Sequence, residues 1–169
     1  MIAAVTVAGC GGGSGGGYGG KGETGTTSSG GGGGGAYAAP AAAPNPEEGT
    51  TFVSLGSVPK LGLVLVDSKG MTLYDFHKDQ GTRSACYGAC AGAWPPLLTK
   101  GAPQPSNGAS AGKLGTAKRK DGTMQVTYAG HPLYTFSGDG KPGEANGHAV
   151  TAFGAQWYAM HSSGAEAAD

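Results

Sequence analysis

The sequence predicts an all-β fold, in which a duplicated antiparallel β unit forms one small sandwich or barrel. The main observation is a repeat, because residues 70–79 and 130–139 both fit the pattern Gly-x-x-Leu-Tyr-x-Phe-x-x-Asp. A repeat of this kind indicates one supersecondary unit built twice, with a core that both copies share. Short β-rich runs separated by turn residues surround each copy. No amphipathic helix of useful length is found, apart from one short turn near residues 84–91.

The first copy is predicted to form a β-hairpin. Residues 61–66 are aliphatic and β-branched, residues 67–70 form a polar turn cluster, and residues 71–76 continue as a second strand. The second copy repeats this plan with a strand over residues 123–128, a tighter turn, and a strand over residues 132–136. The two copies are therefore expected to form matching units.

A further strand precedes the second copy. Residues 112–118 face residues 123–128 across Asp121-Gly122, a dipeptide typical of two-residue type I′ turns. The basic cluster at residues 118–120 lies at this turn, and its simplest interpretation is the solvated end of a strand. Eleven basic and eleven acidic residues balance each other, so the composition gives no electrostatic sign of nucleic-acid binding.

The side chains of the repeated motif are interpreted as scaffold. In each copy the Tyr and the Phe are two residues apart, so they share one face of a strand and are expected to pack in the core. The closing Asp has a Gly within the next two residues, which favours a turn held by hydrogen bonds from the backbone to the Asp side chain. Each copy ends in a Trp segment, and Pro95 and Pro96 predict that the first such segment is an edge strand or a non-strand crossing. The motif residues are Leu73, Tyr74, Phe76, Asp79 and Trp94 in the first copy and Leu133, Tyr134, Phe136, Asp139 and Trp157 in the second.

The distribution of glycine predicts the domain boundaries. Half of the 36 glycines precede Thr50, in a stretch with almost no bulky side chains. Such a stretch cannot bury enough apolar surface to offset the entropy of ordering, so it is predicted to be a disordered tether. The predicted divisions are residues 1–10 as the remnant of a lipoprotein signal, 11–50 as the Gly/Ser/Ala/Pro tether, 51–162 as the β domain with repeats at about 51–98 and 112–161, and 163–169 as a tail.

The amino-terminal segment Val7-Ala8-Gly9-Cys10 resembles the lipobox of bacterial lipoproteins, a small-residue cleavage site that ends in a cysteine. The resemblance implies that Cys10 carries a diacylglycerol, and two or more acyl chains make membrane anchoring stable. Only nine residues precede Cys10 and none is Lys or Arg, so the export signal is expected to start upstream of Met1. A Gly-rich tether of about forty residues has a root-mean-square reach of roughly 35 Å, which would hold the domain clear of the bilayer.

The folded part resembles the bacterial secreted-repeat lipoproteins of unknown function. The pattern of that family is matched by Leu73 to Asp79, by the Cys-x-x-x-Cys pair Cys86 and Cys90, and by the Ala-x-x-Trp-Pro-Pro-Leu run at residues 91–97. The second copy has the Leu-Tyr-x-Phe-x-x-Asp motif without the cysteines. The resemblance implies export and a duplicated all-β fold, and it implies no established activity.

Cys86 and Cys90 are the main candidates for specific chemistry. On one helical turn their Cα atoms would lie about 6 Å apart, within the range of a disulfide. Export places them in an oxidising compartment, where a structural disulfide is the default. The alternative is a redox or copper site, since a cysteine pair near a histidine or methionine is a soft site for Cu(I). Only the first copy has these cysteines, so specific chemistry is expected in its loop.

The motifs of common hydrolases and phosphate-binding loops are missing from the predicted folded part. The sequence therefore favours a lipid-anchored extracytoplasmic protein with no cofactor, which binds an envelope protein or a cell-wall component rather than catalysing a reaction. The alternative is an extracytoplasmic electron-transfer or copper-handling protein that uses Cys86 and Cys90.

Overall fold

The computed structural model describes residues 49–168, so Cys10 and the predicted tether up to residue 48 lie outside the described part. Within it, extended segments dominate, and no helix is long and apolar enough to cross a membrane. The elements are β1 (Phe52–Val58), β2 (Gly62–Val66), β3 (Tyr74–Phe76), α1 (Ala89–Ala93), β4 (Gln104–Pro105), a 3-10 turn (Ala111–Lys113), β5 (Leu114–Lys118), β6 (Met124–Tyr128), β7 (His131–Pro132), β8 (Val150–Ala152) and β9 (Ala155–Ala159).

The strands form three sheets of three strands each, in the orders β2-β1-β4, β3-β9-β8 and β5-β6-β7. The prediction of an all-β fold is confirmed, because helix is limited to α1 and the 3-10 turn within residues 49–168. The sheets of this region do not close into a barrel. One pairing differs from the prediction, since β4 runs parallel to β1.

The hairpin predicted for the first copy is only partly present. Backbone hydrogen bonds pair residues 65–67 with residues 71–73 around the expected turn, but β2 pairs along its length with β1, and β3 belongs to a different sheet. The β5–β6 hairpin lies where it was predicted, but its turn type is wrong. Asp121-Gly122 was expected to form a two-residue turn, whereas the Arg119 N–H donates to the Thr123 carbonyl and leaves a three-residue loop. Gly122 alone in that loop has a positive φ of 86°, and the Asp121 side chain accepts a hydrogen bond from the Thr123 N–H at 3.0 Å. The loop is therefore a turn followed by a left-handed glycine, the common three-residue hairpin connection.

A two-residue turn does occur in the second copy, between β6 and β7. Tyr128 pairs directly with His131. The two residues between them, Ala129 and Gly130, have φ values of 51° and 89°. A type I′ turn requires positive φ at both central positions, so the tighter turn predicted for this copy is present, with Ala at a position where Asn or Asp is more usual.

The two copies exchange their Trp segments. The first motif lies in β3, which pairs with β9 of the second copy so that Phe76 lies opposite Trp157. The second motif pairs with the Trp94 segment of the first copy through hydrogen bonds that join Thr135 N–H to the Pro95 carbonyl and Leu97 N–H to the Leu133 carbonyl, both at 2.9 Å. Each copy therefore completes the backbone pairing of the other.

The segment from Trp94 to Leu98 contributes isolated bridges and no regular strand, as its prolines predicted. Pro96 lies opposite Tyr134 and Leu98 lies opposite Gln125. Pro95 cannot donate a hydrogen bond but its carbonyl can accept one, which is the role it has here. The other Trp segment has no proline and forms the central strand of its sheet.

Four aromatic rings from both copies stack in one column in the core of the described domain. Phe76 stacks on Trp157 with 3.9 Å between ring centroids, Trp157 on Trp94 at 4.0 Å, and Trp94 on Phe136 at 4.2 Å. Both indoles are almost fully buried. Phe76 is buried in this core, whereas Phe136 packs against its edge and is only partly buried. The column joins the two copies into one core.

Candidate functional site

The motif tyrosines and aspartates form two reciprocal hydrogen bonds between the copies. The Tyr74 hydroxyl donates to Asp139 at 2.6 Å, and the Tyr134 hydroxyl donates to Asp79 at 2.7 Å. The second oxygen of Asp79 accepts from the Ala85 N–H at 2.7 Å, and that of Asp139 accepts from a backbone N–H at 2.8 Å. Each aspartate therefore accepts from a backbone N–H six or seven residues further along the chain and closes the loop that follows its motif. Its hydrogen bond to the Tyr of the other copy was not predicted.

Burial dominates the electrostatics of these pairs. It raises the pKa of Asp79 and Asp139 above the ordinary value for a carboxyl. It also raises the pKa of Tyr74 and Tyr134, so both phenols stay protonated and act as donors. Every polar atom of the four side chains has a partner within the scaffold. The repeated motif is therefore structural.

The cysteine pair is joined in a disulfide. Cys86 and Cys90 have Cα atoms 5.2 Å apart, and both side chains are buried at the start of α1. The disulfide predicted from the spacing is confirmed. Because each sulfur is bonded to the other, neither is a thiolate ligand in this state, and copper binding at the pair would require reduction first.

Arg119 holds the disulfide loop against the β5–β6 hairpin. Its guanidinium donates to the Cys86 carbonyl at 2.7 Å, to Ser84 at 2.9 Å and to Gln125 at 2.6 Å, and it lies 4.3 Å from the centre of the Tyr87 ring. Arg119 is 5% exposed, so the expectation of a solvated strand end is wrong for this residue. The buried guanidinium is compensated by these three oxygen acceptors, one from each of three residues.

A polar pocket of about 230 Å³ lies beside the first motif. Asp75 lies on β3 between Tyr74 and Phe76, and His77 follows two residues later, so both project from the side of the strand opposite the aromatic column. His131, from β7, and Glu166, from the carboxyl-terminal segment, also line the pocket. Asp79 lines it as well, but both of its oxygens are already held by hydrogen bonds within the scaffold.

The other four side chains lie close to one another. His77 Nε2 contacts Glu166 Oε1. The Asp75, His77 and Glu166 ligand atoms all lie within 4.8 Å of one another. His131 Nδ1 lies 3.6 Å from Asp75 Oδ2. Two imidazoles and two carboxylates therefore converge on one small space.

Asp75 is the unusual member of this group. It is only 3% exposed, and its Oδ1 is the one buried side-chain N or O atom among residues 49–168 without a hydrogen-bond partner. Burial raises the pKa of Asp75 from its ordinary value of 3.8 to about 6, against the opposing effects of His131 and His77. A buried carboxylate with an unpartnered oxygen is unfavourable for stability and is a common mark of a binding site.

The sequence did not single out this pocket. Alternation along the strand predicts only that Asp75 lies on the face opposite the motif aromatics, and Glu166 falls in the predicted tail. No sequence spacing connects the histidines to other candidate ligands. One signal was available, because Asp75 and His77 are positions at which the copies differ. The second copy has Thr135 and Ser137 there.

Comparison with known proteins agrees with the duplicated architecture. A family model described as a secreted repeat of unknown function matches residues 57–98 and 115–161, so that each match contains one motif and one Trp segment. No curated protein and no solved structure matches the chain. The matched segments cover more than half of the sequence, and the chain therefore belongs to the secreted-repeat family of unknown function, whose description indicates an extracytoplasmic location.

Proposed function

We propose that this protein is anchored to the outer face of a bacterial membrane by lipid on Cys10 and acts there as a non-catalytic binding protein. Membership of a secreted-repeat family supports an extracytoplasmic location. The resemblance of Val7–Cys10 to a lipobox supports the anchor, although these residues lie outside the described part of the chain. The macromolecular partner, an envelope protein or a cell-wall component, stays a prediction.

The observation that supports binding is the contrast between the motif residues and the Asp75 pocket. Asp79 and Asp139 have hydrogen-bond donors for both oxygens, as expected for scaffold. Asp75 is at least as buried and has no donor for Oδ1. Because an unpaired buried carboxylate costs free energy, its presence indicates that the pocket receives a ligand that supplies the missing interaction.

The anchor is tested by cell fractionation of the full chain with its native export signal. We expect wild-type protein in the membrane fraction and Cys10→Ser in the soluble extracytoplasmic fraction or the medium. Joint replacement of Cys86 and Cys90 by Ser is the matched control, since it removes the other cysteines of the chain without leaving an unpaired thiol and should leave the protein on the membrane. Unchanged membrane fractionation of Cys10→Ser would contradict lipid anchoring.

A further inference from the structure

We propose that Asp75, His77, His131 and Glu166 bind a divalent first-row transition-metal ion, with Zn²⁺ as the representative. This inference deepens the proposed binding function, on which it rests, by naming the class of ligand. It assigns the ion to the pocket beside the first motif. The cysteine pair, which the sequence singled out for metal chemistry, has no part in the site.

The spacing of the donor atoms suits one ion. Ligand atoms of Asp75, His77 and Glu166 all lie within 4.8 Å of one another. Around a tetrahedral Zn²⁺ with bonds of about 2.0–2.1 Å, neighbouring donors are separated by about 3.4 Å. His77 and Glu166 are exposed and can rotate towards the ion, while buried Asp75 offers a fixed ligand. Only small side-chain movements are therefore needed.

His131 is placed to be the fourth ligand. Its Nδ1 lies 3.6 Å from Asp75 Oδ2, and about half of its side chain is exposed. Because it projects from the short strand β7, it approaches Asp75 from the second copy, whereas Asp75 and His77 come from the first. The proposed site thus joins the two copies at a point that neither could form alone.

The unpartnered oxygen of Asp75 is an independent observation that points to a ligand. Buried polar atoms are almost always paired, and Asp75 Oδ1 is the exception among the described residues. His131 and His77 lie near the carboxylate, but neither is within hydrogen-bond distance of Oδ1. A metal ion would satisfy this oxygen directly.

The donor set defines the class of ion. Imidazole nitrogen and carboxylate oxygen suit Zn²⁺ and its first-row neighbours, and the pocket offers no sulfur to select Cu(I). Ca²⁺ and Mg²⁺ prefer sites built entirely from oxygen ligands, so the two histidines disfavour them. The Irving–Williams order predicts tighter binding of Cu²⁺ than of Zn²⁺ at the same residues.

The test is a metal titration of the full chain, extracted in mild detergent without an affinity tag and stripped with EDTA. Competition with a chromogenic chelator measures Zn²⁺ affinity, and Co²⁺ reports geometry through the strong visible absorption of four-coordinate sites. We expect one ion per chain and a Co²⁺ spectrum typical of four ligands. Mg²⁺ in large excess should not displace Zn²⁺.

Four variants separate this site from general surface binding. Asp75→Asn and His77→Gln should each lower Zn²⁺ affinity at least tenfold. His148→Gln and Glu144→Gln are matched controls that remove an imidazole and a carboxylate elsewhere on the protein, and their affinity should stay within about twofold of the wild-type value. Circular dichroism in EDTA establishes that every variant is folded.

Absence of stoichiometric binding, or equal affinity of wild type, Asp75→Asn and His77→Gln, would overturn the metal assignment. Such a result is distinguishable from failure of the proposed function, because membrane release of Cys10→Ser is measured without metal. Asp75→Asn is also expected to be more stable than wild type in EDTA. Loss of binding in that variant would then not be attributable to unfolding.

Discussion

Removing one of the reciprocal Tyr–Asp hydrogen bonds should lower the unfolding free energy more than removing most other polar contacts. In Tyr74→Phe, the ring stays in the core while the hydroxyl that donates to Asp139 at 2.6 Å is lost. Hydrogen bonds to charged groups contribute about 1.5–3 kcal/mol, and the buried carboxylate is left with one donor fewer. We therefore expect a loss of about 2–3 kcal/mol in unfolding free energy at neutral pH.

Tyr128→Phe is the matched control for this prediction. Tyr128 is also fully buried, but its hydroxyl donates to the neutral carbonyl of Ser162 at 2.9 Å and accepts from Ser110 N–H at 3.0 Å. The Tyr74 hydroxyl likewise accepts a backbone N–H, from Gly147 at 3.4 Å, so the two truncations differ mainly in the acceptor that loses its donor. A bond between neutral groups contributes about 0.5–1.5 kcal/mol, less than a bond to a carboxylate, so Tyr128→Phe should lower the unfolding free energy by less. Chemical denaturation of both variants measures the difference, and thermal unfolding should show Tyr74→Phe melting roughly 10 °C below wild type.

A double-mutant cycle of Tyr74→Phe with Asp139→Asn isolates the pair. Residues in direct contact show coupling energies of about 0.5–3 kcal/mol, and this pair should lie in the upper half of that range. A coupling energy near zero, or a loss in Tyr74→Phe no larger than in Tyr128→Phe, would refute the argument that this bond between copies stabilises the fold.

Three further predictions follow from burial and packing. In EDTA, Asp75→Asn should raise the unfolding free energy by about 3 kcal/mol at pH 7.5 and by little at pH 4, as measured by chemical denaturation. The reason is that burial raises the pKa of Asp75 from 3.8 to about 6, and each pKa unit corresponds to about 1.4 kcal/mol. The Asp75 carboxyl keeps its proton to a higher pH in the native state than in the unfolded state, so wild-type stability falls as the pH rises from about 4 to about 6. An equal stability difference between Asp75→Asn and wild type at both pH values would contradict this prediction. Joint replacement of Cys86 and Cys90 by Ser should cost about 2 kcal/mol and leave the domain folded, since the disulfide closes a short loop; loss of cooperative melting would show otherwise. Gly147→Ala should lower the unfolding free energy by about 1–3 kcal/mol, because an added Cβ would lie 2.5 Å from the Trp94 ring. An unchanged melting temperature would show that the site has room for the methyl group.

Local sequence signals predicted the elements well where local physics decides them. Alternation placed the Tyr and Phe of each motif on the core face, and the prolines after Trp94 correctly excluded a regular strand. The prediction of a two-residue turn at Asp121-Gly122 was wrong, because this dipeptide occurs in hairpin loops of both two and three residues. Hydrogen bonds made by Asp121 and Arg119 selected the longer one.

Local sequence signals could not predict the candidate pocket, because residues far apart in the chain form it. His77 and Glu166 make contact although 89 positions separate them in the chain, and the two parts of the pocket come from different copies. The lack of a partner for Asp75 Oδ1 is likewise visible only after every neighbouring group has been placed. A comparison of the copies would have singled out Asp75 and His77 as positions that differ. It would not have shown that His131 and Glu166 lie beside them.

Residue patterns alone were sufficient to predict that one β unit occurs twice, that its aromatics face the core, and that the cysteine pair lies in the first copy only. These properties depend on residue type and on spacing within a few positions. Long-range packing was needed to show that the copies exchange their Trp segments and that Tyr74 and Tyr134 each bond to the Asp of the other copy. It was also needed to show that Asp75 Oδ1 has no hydrogen-bond partner. The reason is physical: periodicity fixes which face of a strand is buried, whereas the choice of partner strand depends on stacking four rings from both copies in one core.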